Sequence, residues 1–138
     1  MISYDNKIPT VEEYNRLTNQ VGWGTREKNI VEEALNHTLF AVCAYDDHHL
    51  IGSGRIIGDK TIFLYIQDVM VEPQYQHQKI GTEIMYRLLK QIEEYKKINP
   101  YIRVYLGASK GRESFYQKFG FITREEADLG KGMILISQ

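Results

Sequence analysis

Cysteine is almost missing from this chain. Cys43 is the only one in 138 residues, so no intrachain disulfide is possible and a reducing interior is the expected setting. It lies in the apolar stretch TLFAVCAY, where a buried, inert thiol is expected rather than a nucleophile. Long hydrophobic runs are missing too, since none approaches the roughly 20 residues that a membrane span needs. Neither sign of charge dominates. The net charge is −1, so no bulk field draws the chain to nucleic acid or to an anionic membrane. The N-terminus lacks the basic-then-apolar order of a signal peptide, which leads us to expect a cytoplasmic protein. Repeats, linkers and low-complexity tracts are absent, and one domain over residues 1–138 is expected. The histidines and aspartates give no ligand set. Asp46, Asp47, His48 and His49 are adjacent in a hairpin tip and cannot all point at one ion, so a solvated turn without metal is expected.

What is present is an ordinary globular balance of 43% hydrophobic and 25% charged residues. The 10 tyrosines either line a cleft or fill a half-exposed sheet. Residues 2–4 read as a short edge strand. A helix from Pro9-Thr10 to about Gln20 carries Val11, Tyr14, Leu17 and Val21 on one face. VGWG at 21–24 breaks it, and a second helix runs from about Arg26 to Asn36. Strands follow at 38–45, 50–57 and 61–71. Gly52 and Gly54 lie inside the second of these and mark a bulge or kink. A long helix opens at Gly81-Thr82 and ends near Lys97, before Asn99-Pro100. A strand at 103–106, a short helix at 112–119 stopped by Gly120, and two strands at 121–123 and 133–137 complete the chain. The order β-α-α-β-β-β-α-β-α-β-β implies a layered α/β fold with a mixed sheet.

The organising stretch is YIQDVMVEPQYQHQKIGTEIMYR, from Tyr65 to Arg87. It reads as a strand, a polar turn after Pro73, and a helix start. Such a turn aims unpaired N–H groups and the positive end of a helix dipole at one point, which suits a phosphate. VMVEPQYQHQKIG resembles the acetyl-coenzyme-A motif of the GNAT superfamily of N-acetyltransferases: Val, x-Pro, then Gln/Arg-x-x-Gly-x-Gly/Ala. Gln76, Ile80 and Gly81 match, and Lys79 stands where the family usually has Gly. SFYQKFGF at 114–121 resembles the family's late FYxKxGF segment. The resemblance covers the last two thirds of the chain. It implies a mixed, mostly antiparallel sheet of six to seven strands flanked by four helices. It also implies acetyl-CoA as co-substrate.

The resemblance assigns the cofactor diphosphate to backbone N–H groups from Gln76 through His77, Gln78, Lys79, Ile80 and Gly81 to Thr82. Lys79 costs little there if the position is already helical, which is the expectation. A positive φ would require a rearranged loop. The strand residues Val69, Met70 and Val71 would flank the pantetheine arm, with the Val69 N–H on the acetyl carbonyl. Ser109 stands where many relatives have Asn and would bond the same arm. Tyr116 occupies the position of the family's general acid. A phenol near pKa 10 is a weaker acid than a thiol near 8.5, so full transfer to the thiolate runs uphill by about 2 kcal/mol. Hydrogen bonding to the developing negative sulfur is therefore its expected role. An alkyl amine needs about 4.6 kcal/mol to lose its proton at pH 7, so a base must help. Asp68 is the nearest carboxylate, Glu72 and His37 are alternatives, and a bulge would decide which way Asp68 points. Gln67 stands where some relatives carry that base, and it would instead line the acceptor side. Trp23 either plugs the groove between the first two helices or touches the acceptor.

The expected activity is acetyl transfer to a small-molecule amine by direct attack in a ternary complex. Acceptor alternatives are a protein N-terminus or lysine. A different class of reading is a non-catalytic acyl-CoA-binding or regulatory domain. Exposed residues of the last strand would suit a homodimer.

Overall fold

Thr10 begins the first helix by a reciprocal cap. Its hydroxyl accepts from the Glu13 N–H at 3.1 Å, while the Glu13 carboxylate accepts from the Thr10 N–H at 2.9 Å. Helix α1 (Val11–Gln20) follows strand β1 (Ile2–Asp5), and helix α2 (Lys28–Asn36) follows α1. Strands β2 (Phe40–Asp46), β3 (His49–Gly58) and β4 (Phe63–Val71) come next. A short 3₁₀ turn (Pro73–Tyr75), helix α3 (Ile80–Tyr95), strand β5 (Arg103–Leu106) and helix α4 (Glu113–Gln117) complete the elements. The protein is seen here in a computed structural model, which describes residues 1–137. Its contacts divide into two compact units, Met1–Leu106 and Gly107–Gln138.

The larger unit is one five-stranded sheet in the order β1-β2-β3-β4-β5. The first three pairings are antiparallel and β4–β5 is parallel, so the sheet is mixed and mostly antiparallel, as expected. Helix α3 lies on one face. A Cβ placed on Gly54 would come within 3.0 Å of Ile84 and 3.1 Å of Leu88, so the missing side chain is what lets the helix approach. Helices α1 and α2 close a second cluster, in which Tyr14, Leu17, Val31 and Leu35 pack with Cys43, Tyr45, Leu50 and Met70. Arg55 follows Gly54 and reaches α2, so by alternation the two helical layers cover opposite faces. Cys43 is fully buried, and that burial pushes its thiol up to about pKa 12, which makes it inert at neutral pH.

The sheet departs from expectation in strand number, with five strands instead of six to seven. Neither 121–123 nor 133–137 is a strand among the described residues. Met133, Ile134, Leu135 and Ile136 are 95%, 83%, 96% and 72% exposed. Four consecutive apolar residues give a strand only where both faces are covered and a neighbour completes the ladder. Here they have neither. No described helix is long and apolar enough to cross a membrane.

Candidate active site

The site is built on a slip in β4. Ser53 pairs with Met70 and Arg55 with Gln67, so Asp68 and Val69 together face Gly54 alone. Asp68 has φ +57°, a left-handed residue inside a strand. This is a β-bulge, which leaves one residue outside the ladder and re-aims its neighbours. On the opposite edge β5 stops at Leu106, opposite Ile66. Residues 67–71 therefore have no strand neighbour on that side among the described residues. Their open backbone groups are suited to an extended ligand lying alongside.

The bulge also settles where Asp68 points. Its Oδ2 accepts from the Tyr14 hydroxyl at 2.8 Å and from Arg55 Nε at 2.8 Å, and Oδ1 accepts from Gln67 Nε2 at 3.1 Å. The side chain is 7% exposed, and three donors already occupy it. Burial, then the Asp68 charge, pushes the Tyr14 phenol up to about pKa 12, so it stays a donor across the working pH range. The other base candidates are also engaged. Glu72 is buried, with Oε2 at 3.0 Å from His49 Nε2 and 3.8 Å from Arg16 Nη1. His37 is exposed and faces Glu33 at 3.0 Å. The hairpin tip is thus more than a solvated turn. His49 reaches Glu72, and Asp46 accepts from the Tyr75 hydroxyl at 2.7 Å and the N-terminal ammonium at 3.0 Å. No group of three metal-binding side chains occurs among the described residues.

After β4 the chain turns toward α3. Gln76 Nε2 donates to the Val71 carbonyl at 3.0 Å, which fixes the turn to the strand end. His77 and Lys79 both have φ +65°. Lys79 is the residue before α3, and it is left-handed rather than helical, which corrects the sequence expectation. The usual Gly adopts this conformation freely, whereas Lys carries a Cβ against the following carbonyl. We expect Lys79→Gly to raise unfolding stability by about 0.5–1 kcal/mol, read as a higher urea midpoint. An unchanged or lower midpoint would mean that the lysine side chain compensates the strain.

No side chain caps α3. Its first intrahelical bond is from the Glu83 N–H to the Lys79 carbonyl at 3.1 Å, so the earlier N–H groups lack a carbonyl one turn back. His77, Gln78 and Lys79 are exposed, Gly81 and Thr82 half-buried, and Ile80 is buried against the sheet. Ile80 therefore anchors the helix start, and Met70 anchors β4 in the α1–α2 core. Val69 and Val71 are half-buried. Trp23 is 47% exposed after the left-handed Gly22, so it does not fill a closed groove. Arg55, Tyr14, Arg16 and His49 were not legible as site residues, because their partners lie 13 to 54 positions away.

In the smaller unit, Ser109 is exposed and its carbonyl accepts from the Arg112 N–H at 2.9 Å. Tyr116 is half-buried on α4, edge-on to Phe115 with centroids 5.0 Å apart and to Phe121 at 6.4 Å. Burial raises the phenol pKa above its usual 10, opposed by Arg112.

A sheet with a bulge in its fourth strand, an open strand edge beside it and an uncapped helix start offers main-chain groups to an extended ligand and N–H donors to a phosphate. The chain belongs to the GNAT acetyltransferases, whose domain model, described as "Acetyltransferase (GNAT) domain", matches residues 14–137. It is similar to the uncharacterized N-acetyltransferase ycf52-like of Prochlorococcus marinus, 35% identical over 113 residues, or 79% of this chain. The chain spans 61% of that relative's length. Among solved structures it is similar to a protein of unknown function from meticillin-resistant Staphylococcus aureus. That match has a TM-score of 0.87 and 33% identity, and covers 99% of this chain and 100% of the other. It is also similar to a GNAT-family acetyltransferase of Streptococcus pneumoniae, with TM-score 0.83 and 30% identity, over 100% of this chain and 99% of the other. The family uses acetyl-CoA as co-substrate.

Proposed function

We propose that this chain transfers the acetyl group of acetyl-CoA to a small-molecule amine by direct attack in a ternary complex. The observation that carries the reading is the uncapped N-terminus of α3, reached through the left-handed His77 and Lys79 from the open edge of β4. These features fit the co-substrate: orphan N–H donors suit a diphosphate, and an unpaired strand edge suits an amide-bearing arm. Acetyl-CoA supplies an acyl group already activated as a thioester. The Gln76 N–H is donated to the Pro73 carbonyl at 3.2 Å, so the donors assigned to the diphosphate are the backbone N–H groups from His77 to Thr82. Val69 and Val71 offer main-chain groups to the arm, and the Val69 N–H is the donor for the acetyl carbonyl. Ser109 bonds the same arm. Tyr116 keeps its proton and offers it to the departing sulfur. Gln67 and Trp23 are assigned to the acceptor side. The buried Cys43 thiol argues against a covalent acyl-enzyme.

The engagement of Asp68, Glu72 and His37 favours one rival, a domain that binds acyl-CoA without catalysis. In the transferase reading, water relays the amine proton or the acceptor is a weak base. An amine panel with free-thiol release from acetyl-CoA separates the two. Turnover above the no-amine background with at least one amine is expected. Coenzyme A binding without turnover on any amine would leave the regulatory reading standing. A homodimer belongs to the same proposal, carried by the exposed run Met133–Ile136, and sedimentation across protein concentrations tests it.

A further inference from the structure

Asp68 is left-handed inside a strand, and its one local side-chain contact is the Gln67 Nε2 donation to Oδ1 at 3.1 Å. A residue with a Cβ pays about 1–2 kcal/mol for that conformation, and strand sequence around it favours regular pleating. The other side-chain contacts of Asp68 come from outside β4. The contacts converge from three elements of the same unit. Tyr14 on α1 donates to Oδ2 at 2.8 Å, and Arg55 on β3 donates its Nε to the same oxygen at 2.8 Å. Arg55 also extends Nη1 to the Ala34 carbonyl of α2 at 3.3 Å and to Thr38 Oγ1 at 3.2 Å. The guanidinium side chain is 12% exposed and the carboxylate 7%, so water does not screen the pair as it would at the surface. A lysine ammonium cannot bridge these groups, because it lacks the planar fork that reaches the carboxylate and the α2 end together.

We propose that Arg55 and Tyr14 are positioning residues for acetyl transfer, acting through the Asp68 carboxylate to hold the β4 bulge and so the direction of the Val69 N–H. This rests on the acetyltransferase reading above. Asp68 is then a tether and not the base that takes the amine proton. Asparagine at 68 keeps an acceptor for Tyr14 and Arg55 and tolerates the left-handed region, whereas alanine keeps neither. The two substitutions therefore distinguish a tether from a proton acceptor.

The test uses the full chain and three readouts on Arg55→Lys, Asp68→Ala and Asp68→Asn. Amide hydrogen exchange over residues 66–71, with no ligand present, reports the bulge itself. Calorimetry with coenzyme A reports the diphosphate site. The initial rate with the best amine of the panel reports transfer. Arg55→Lys and Asp68→Ala are expected to exchange faster over 66–71 by about tenfold. Their kcat should fall by at least about tenfold, since a small misplacement of a donor is costly, while coenzyme A affinity stays within about twofold. Asp68→Asn should restore most of the exchange protection and most of kcat. Unchanged exchange over 66–71 in Arg55→Lys overturns the proposal whatever the kinetics show. Loss of kcat in Asp68→Asn equal to that in Asp68→Ala, with protection restored, also overturns it and makes Asp68 a proton acceptor. Intact exchange effects in a parent chain that binds no coenzyme A would instead sink the acetyltransferase reading, and the catalytic half of this proposal with it.

Discussion

Tyr116→Phe is expected to lower kcat for acetyl transfer by about 10²-fold while acetyl-CoA affinity changes by less than about threefold. The substitution removes one hydroxyl and keeps the ring. Its edge-on contacts to Phe115 and Phe121 therefore survive, and α4 keeps its packing. Under the proposed role, what is lost is one donor to charge that appears only as the thioester breaks, and such a loss falls on kcat rather than on binding. Burial raises the phenol pKa and Arg112 only partly opposes it. The neutral form prevails below the folded pKa, so raising that value extends the pH range over which Tyr116 can donate. Any alkaline fall in kcat below about pH 10 must then come from another group. Initial rates of thiol release from about pH 6 to 9.5, for parent and variant, check both points. A Phe variant with parental kcat removes Tyr116 from the mechanism, and an alkaline limb that the substitution abolishes would show that its pKa is depressed instead.

The order of elements was legible because periodicity writes it directly: Ile84, Met85, Leu88 and Ile92 repeat at helical spacing, and all four are buried on α3. The turn between β4 and α3 was legible as a strand, a proline and a helix start. Its backbone was not. A lysine in sequence carries no mark of φ +65°, and the only clue was that relatives have Gly there, which is itself a sign of a left-handed residue. The bulge left a fainter trace. An aspartate in a β-branched run is a poor strand residue, and its cost is met by Arg55 and Tyr14, which are distant in sequence. The C-terminal strands failed for a different reason. MILI has the composition of a strand, but strand pairing is a property of two segments and no composition reveals whether the second is available. Gly52 and Gly54 carried two meanings at once. Both leave room for α3, and Gly54 also sits opposite the bulge.

The largest stability loss from a single added methyl is expected at Gly58→Ala, about 3 kcal/mol or more, with Tm lower by roughly 10 °C. Gly58 closes β3 with φ +140°, a region that side-chain-bearing residues rarely enter. A Cβ there would sit 2.5 Å from the Phe63 carbonyl oxygen and 2.9 Å from the Leu64 Cα. Both atoms are backbone, so no rotamer change relieves the contact. Nor can the turn shift easily. The Asp59 carboxylate accepts from the N–H groups of Thr61, Ile62 and Phe63 at 2.9, 2.8 and 3.0 Å, and the Asp59 N–H donates to the Phe63 carbonyl at 3.2 Å. Those bonds set the register in which Gly58 faces Leu64, and that register carries β4 to its bulge. Gly22→Ala supplies the control. Gly22 is also left-handed, at φ +90°, but nothing lies within 4 Å of its added Cβ. It should therefore lose only the conformational term, about 1 kcal/mol. Thermal and urea unfolding of the two variants separate the steric part from the dihedral part. If Gly58→Ala unfolds no earlier than Gly22→Ala, the β3–β4 turn yields to the methyl, and the rigidity assigned here to the route into the bulge is wrong.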